Sequence, residues 1–293
     1  MVIVASPDHT HCKYIVESFR NNKHVFTEKP ICNNLKELKQ ITSEWKKNKK
    51  SIKFRSNLIL RSSPLFLWLK KKIKEGYFTK LGIHAIWMSP IVEQIHGGTD
   101  EGTGLTYAFH GYWTKDWTNI DPNFGTKEDL KELVAIAHKN GIRVLLDAVI
   151  NHIGPVTQKD PLWPRDWVKT EPQCTFNNYK NTVTCTLVKN LPDIKTESNE
   201  AVKLPPHLVA KWKKEGRYDK ELKELDEFFK RTGHPRAPRF YIIKWLTDYI
   251  TEFGIDGYRV DTVKHTEESV WQEFRTECDF AFANYKSNNP EKI

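Results

Sequence analysis

The chain has 293 residues, of which 46 are Lys or Arg and 37 are Asp or Glu, for a formal charge of +9, and 39% are hydrophobic. That apolar content excludes disorder as a global description, and the length allows one large core or two ordinary ones. The charge is uneven, with 17 basic and 6 acidic side chains in residues 1–78 against 29 and 31 in the rest, so two segments of different origin are expected.

Met1 leads directly into a short apolar run, Val2 to Ala5, ended by Ser6-Pro7. It is too short for a secretory signal, and no stretch approaches the roughly 18 apolar residues of a spanning helix. No membrane segment is expected, and the chain as it stands reads as cytoplasmic. Apolar runs and helical patterns then alternate: Val2 to Ala5, Lys13 to Asn21, His24 to Phe26, Leu35 to Lys47 and Ile52 to Leu60. Strand, helix, strand, helix, strand is the grammar of a parallel sheet. The lysines at 46, 47, 49, 50, 70, 71, 72 and 74 lack interleaved aromatic platforms and read as a solvated helix face, with no nucleic-acid partner expected.

Ser6-Pro7-Asp8-His9-Thr10-His11, then Thr27-Glu28-Lys29-Pro30 and Asn57-Leu58-Ile59-Leu60-Arg61, resemble the later part of the Rossmann domain in the glucose-fructose oxidoreductase and inositol dehydrogenase-like family. The resemblance covers about residues 1–78 and implies that Lys29 descends from a lysine beside the nicotinamide. The upstream glycine loop, G-x-G-x-x-G, is not present, and Gly76 is the segment's one glycine. NAD(P) binding is therefore not expected, and Lys29 reads as vestigial.

From Leu81 the pattern changes. Gly82 to Pro90 reads as a buried strand, Lys127 to Asn140 as an amphipathic helix stopped by Gly141, and Ile142 to Asp147 as a second strand. A polar excursion from Ile153 to about Arg239 contains the charged helical stretch Pro205 to Arg231. A helix, Phe240 to Phe253, and a strand, Gly257 to Asp261, follow. Strands ending in polar residues suit a (β/α)₈ barrel, whose strand tips carry chemistry. Trp163, Trp167, Trp212, Trp245 and Trp271 read as core residues, because no periodicity places them in a groove.

Three clusters stand at strand ends: Phe109-His110-Gly111-Tyr112-Trp113, Asp147 to His152, and Gly257 to His265. Arg259 and Asp261, two apart on a strand, share one face. A guanidinium beside a carboxylate keeps it ionised, and an ionised carboxylate at a barrel mouth can attack an anomeric carbon. Taken alone the pair also reads as a structural ion pair.

In this order the clusters resemble the α-amylase family of glycoside hydrolases, over about residues 79–293. The resemblance implies a partial TIM barrel preceded by the Rossmann-like segment. Its parts are 79–152 as the first barrel part, 153–239 as the B domain and connecting helices, and 240–293 as the helix and strand carrying the nucleophile. It implies Asp261 as nucleophile, with Arg259 hydrogen-bonded to it. Tyr112, His152, Asp147, Lys264 and His265 are implied as substrate-binding residues, and Asn151, Asp193 and the backbone carbonyl of His265 as calcium ligands. Calcium favours hard oxygen donors, which this set supplies. The implied partners are α-1,4-glucans such as starch and maltooligosaccharides, cleaved by a retaining double displacement.

Such a mechanism needs a second carboxyl as general acid. After Asp261 the chain offers Glu267, Glu268, Glu273, Glu277, Asp279 and Glu291, all in helical or terminal context. Three barrel strands are expected, with open edges that offer a route to self-association. Two readings therefore stand: an α-glucan hydrolase, and a truncated, catalytically inactive fusion that at most binds glucan or calcium. The five cysteines, Cys12, Cys32, Cys174, Cys185 and Cys278, read mostly as thiols, with a Cys174–Cys185 hairpin bridge as the alternative.

Overall fold

The structure, a computed structural model, describes residues 2–27, 30–48, 51–56, 65–100, 104–160, 163–175, 177–186 and 190–290. Three short strands, β1 (Val2–Val4), β2 (Val25–Thr27) and β3 (Phe54–Ser56), lie parallel in that order. Helices α1 (His11–Arg20) and α2 (Leu35–Asn48) make the two crossovers. Cys12, Ile15, Val16 and Phe19 recur at helical spacing on α1 and close on Val4, Val25, Ile41 and Ile52. Lys29, and residues 57–60 of the expected third strand, lie outside the described residues.

A separate, larger core begins with α3 (Leu65–Lys74), whose Leu65, Phe66, Leu69 and Ile73 are buried in it. The division between cores therefore falls before Leu65, earlier than the change of grammar expected near residues 78–81. The expected solvated lysine face also needs correction at Lys70. Its side chain is buried, and its ammonium lies 2.8 Å from Asp129 Oδ1 and 2.7 Å from Glu132 Oε2. Ion pairing with these two acids is what makes burial of this cation tolerable.

After α4 (Tyr77–Lys80) come β4 (Ala85–Trp87), β5 (Val92–Gln94), β6 (Thr99–Asp100), β7 (Leu105–Thr106) and β8 (Thr114–Ile120). Next are α5 (Lys127–Lys139) and β9 (Arg143–Ala148). Thr126 and Asp129 form a reciprocal capping box that starts α5. Strands β5 and β8 form an antiparallel ribbon, as do β6 and β7. Beyond β9 come β10 (Val168–Lys169), α6 (Tyr179–Thr184), β11 (Asp193–Ile194), α7 (Pro206–Lys214), α8 (Tyr218–Thr232), α9 (Pro238–Phe253), β12 (Gly257–Val260) and α10 (Glu268–Asn288).

The sheet that positions the site is parallel, in the order β12-β9-β4. Its two faces differ sharply. Val144, Leu146 and Ala148 belong to the apolar core that also holds the buried residues of α5 and α9. Because side chains alternate along a strand, Trp87, Asp147 and Arg259 stand on the other face. The expected buried strand over 82–90 is accordingly corrected. Only 85–87 pair as β4, and Trp87 is 54% exposed.

Trp163, Trp167, Trp212 and Trp245 are buried and Trp271 packs against the same core, as their lack of groove periodicity suggests. The reading of the cysteines as mostly thiols is corrected for one pair: Cys174 and Cys185 form a disulfide, while Cys12, Cys32 and Cys278 are free. The chain turns through α6 so that Cys174 N donates to Thr186 O at 3.1 Å. That return brings the two cysteines together, Cα to Cα 4.8 Å.

Candidate active site

Strands β9 and β12 pair so that Asp147 lies directly opposite Arg259. Arg259 Nη1 is 3.1 Å from each carboxylate oxygen of Asp147 and 2.7 Å from Asp261 Oδ1. One guanidinium nitrogen thus bridges two acids, of which Asp147 is fully buried and Asp261 partly open. Burial works against the Arg259 charge, but the Asp261 and Asp147 carboxylates outweigh it and hold its pKa above the ordinary value. A single permanent cation thus addresses both carboxylates at once.

Tyr112 enters from the loop between β7 and β8, where Gly111 has φ +90° and an added Cβ would meet Pro90 O at 2.9 Å. Glycine is what permits this close approach to the end of the β4 segment. The Tyr112 hydroxyl donates to Asp147 Oδ2 at 2.9 Å. Burial, then the adjacent carboxylate, pushes the phenol well above its ordinary value, so it remains a donor. Burial also raises the Asp147 carboxyl, against the pull of Tyr112 and Arg259.

His152, buried beside this cluster, has Nε2 3.1 Å from Tyr112 O, and its Nδ1 has no hydrogen-bond partner among the described residues. Burial lowers its pKa, which keeps the ring neutral. The sole acceptor at Nε2 assigns the proton to that nitrogen and leaves a lone pair on Nδ1. Immediately after Asp261, Thr262 adopts φ +48°, a conformation costly for a β-branched residue, and its hydroxyl is buried with no hydrogen-bond partner among the described residues. Lys264 is exposed in the following turn. His265 is buried, with Nδ1 3.0 Å from Thr182 O of α6.

Asn151 and Asp193 also meet. Asn151 Nδ2 donates to Asp193 Oδ1 at 3.1 Å, Asn151 Oδ1 accepts from Thr266 Oγ1 at 3.3 Å, and both residues are buried. An amide and a carboxylate from two segments fit a hard cation in kind. Among the described residues no three His, Cys, Asp or Glu side chains gather as a metal group, so backbone carbonyls would have to complete such a site.

Four of the acids that follow Asp261 are engaged elsewhere. Glu267 accepts from Thr196, Glu273 pairs with Arg239, Glu277 with Arg231 and Asp279 with Arg275. Glu268 lies in the first turn of α10, and Glu291 is outside the described residues. Two residues escaped the sequence reading. Thr262 carries no sequence signal for its conformation. Trp87, in contrast, could have been placed on the acid-bearing face from strand alternation alone.

Two family models match different parts of the chain. The family model "Alpha amylase, catalytic domain" matches residues 71–293, and "Oxidoreductase family, NAD-binding Rossmann fold" matches residues 1–55. The chain is 33% identical to the periplasmic alpha-amylase of Escherichia coli K12, an alignment covering 75% of this chain and 38% of that protein. It is 29% identical to an alpha-amylase of Streptomyces lividans, covering 74% and 26%. Among solved structures, the alpha-amylase from Geobacillus thermoleovorans, complexed with acarbose, superposes with a TM-score of 0.52 at 27% identity, over 78% of this chain and 42% of that one. The chain thus spans well under half the length of these relatives.

Proposed function

Since the chain belongs to the α-amylase family through residues 71–293, we propose that it acts on α-1,4-glucans by a retaining double displacement with Asp261 as nucleophile. The observation that carries this reading is the 2.7 Å contact of Arg259 with Asp261, on a strand tip where Arg259 also clamps Asp147. Arg259 aims the Asp261 carboxylate through their 2.7 Å contact, and Asp147 supports the positive charge that develops on the sugar ring. Tyr112 offers a ring face for stacking, and the lone pair on His152 Nδ1 suits a sugar hydroxyl. Lys264 and His265 contact the leaving-group side. Asn151, Asp193 and the His265 carbonyl would hold calcium, which would tie the β11 segment to the end of β9.

A second reading, glucan binding without turnover of natural glycosides, is favoured by one observation: the described acids after Asp261 are all committed to other partners or lie on α10. Leaving-group protonation is what such a site would lack. Reducing-sugar release from soluble starch, with calcium present, separates the two. The first reading predicts release that disappears in Asp261→Asn. Binding of maltoheptaose without release would support the second, and neither binding nor release from a folded sample would reject both.

A further inference from the structure

Asp147 Oδ2 accepts from three elements at once: Tyr112 Oη at 2.9 Å, Arg259 Nη1 at 3.1 Å and Trp87 Nε1 at 3.2 Å. Trp87 can reach it because β4 pairs with β9 so that Trp87 lies opposite Leu145, two positions before Asp147 on the same face. The guanidinium carbon of Arg259 lies 5.2 Å from the centroid of the same indole, within cation–π range. Trp87 therefore touches both members of the pair that addresses Asp261. Its exposure sets it apart from Trp117, Trp163, Trp167, Trp212 and Trp245, whose indoles are buried in the larger core.

We propose that Trp87 is a positioning residue of the acid–guanidinium cluster. Its indole N–H fixes the Asp147 carboxylate, and its ring supports Arg259 in the arrangement that delivers Nη1 to Asp261. Trp87 itself meets no reacting atom and acts through these two groups. The inference rests on the reading of Asp261 as nucleophile, and its test separates the two.

Two variants divide the contributions. Trp87→Phe keeps an aromatic face for Arg259 and deletes the donor, whereas Trp87→Leu deletes both. An indole this exposed contributes little burial, so both variants should melt within a few degrees of the parent. Fluoride release from α-maltosyl fluoride is expected to show kcat about tenfold lower in Trp87→Phe and about a hundredfold lower in Trp87→Leu, with KM changed less than about twofold. In parallel, the Asp147 carboxyl carbon, followed by NMR through a pH titration, is expected to titrate at higher pH in both variants, because a donor to its ionised form is gone. A merely structural tryptophan would not move that midpoint. Unchanged kcat together with an unchanged midpoint would overturn the proposal. Should the parent chain release no fluoride, the nucleophile reading fails, and the Asp147 midpoint alone then decides on Trp87.

Discussion

Asp261→Asn is expected to lower fluoride release from α-maltosyl fluoride by at least about a thousandfold, roughly 4 kcal/mol of transition-state stabilisation. Fluoride departs without a proton from the protein, so this substrate reports on the nucleophile independently of any general acid. Asparagine keeps the size of the side chain, and its amide oxygen can still accept from Arg259 Nη1, which now lies 2.7 Å from Asp261 Oδ1. The fold should therefore survive while the attacking oxygen loses its charge. The measurement is initial rate by fluoride electrode, with melting temperature as the control for folding. A variant that retains more than a tenth of the parent rate would remove Asp261 from the mechanism.

Trp245→Ala is expected to cost roughly 3–5 kcal/mol of unfolding free energy, a large part of the 5–15 kcal/mol that domains typically possess. Trp245 is 1% exposed on α9. Its ring stacks against Trp167 at 6.1 Å and Trp117 at 6.4 Å, and meets Trp212 edge-on at 6.2 Å. Those partners come from the segment leading into β10, from β8 and from α7, so one indole ties the polar excursion to the barrel elements. Its Nε1 has no hydrogen-bond partner among the described residues, so the loss is one of packing rather than of a polar contact. Trp245→Phe should recover most of it, because an aromatic ring remains in the cluster. Urea unfolding followed by circular dichroism gives both values. A cost under about 1 kcal/mol for the alanine variant would show that the cluster is not the junction described.

The parts of the fold most legible in the sequence were those with strong local signals. The alternation of runs in residues 2–56 emerged as the parallel order β1-β2-β3, and Gly141 and Gly254 both stop helices with φ near +70°. The two-residue spacing of Arg259 and Asp261 placed them on one face, as their shared contact shows. What the sequence hid depends on pairing between distant segments. The exposure of Trp87 follows from which face of β4 the helices cover, and the burial of Lys70 from two acids about 60 positions away on α5. Cys174 and Cys185 carried a weak hairpin signal that became decisive only once α6 folded the loop back. The calcium assignment came from family resemblance alone. The structure adds the adjacency of Asn151 and Asp193, which depends on the bridge pairing of His152 with Asp193.

The central claim, that Asp261 attacks the anomeric carbon, is tested most directly by covalent trapping. The folded chain would be incubated with a fluorinated maltosyl fluoride whose glycosyl-enzyme ester hydrolyses slowly, and its peptides examined by mass spectrometry. One glycosyl unit esterified to Asp261, and absent from Asp261→Asn, is the predicted result. A folded sample that acquires no adduct, or one that carries it on Asp147 instead, would contradict the assignment.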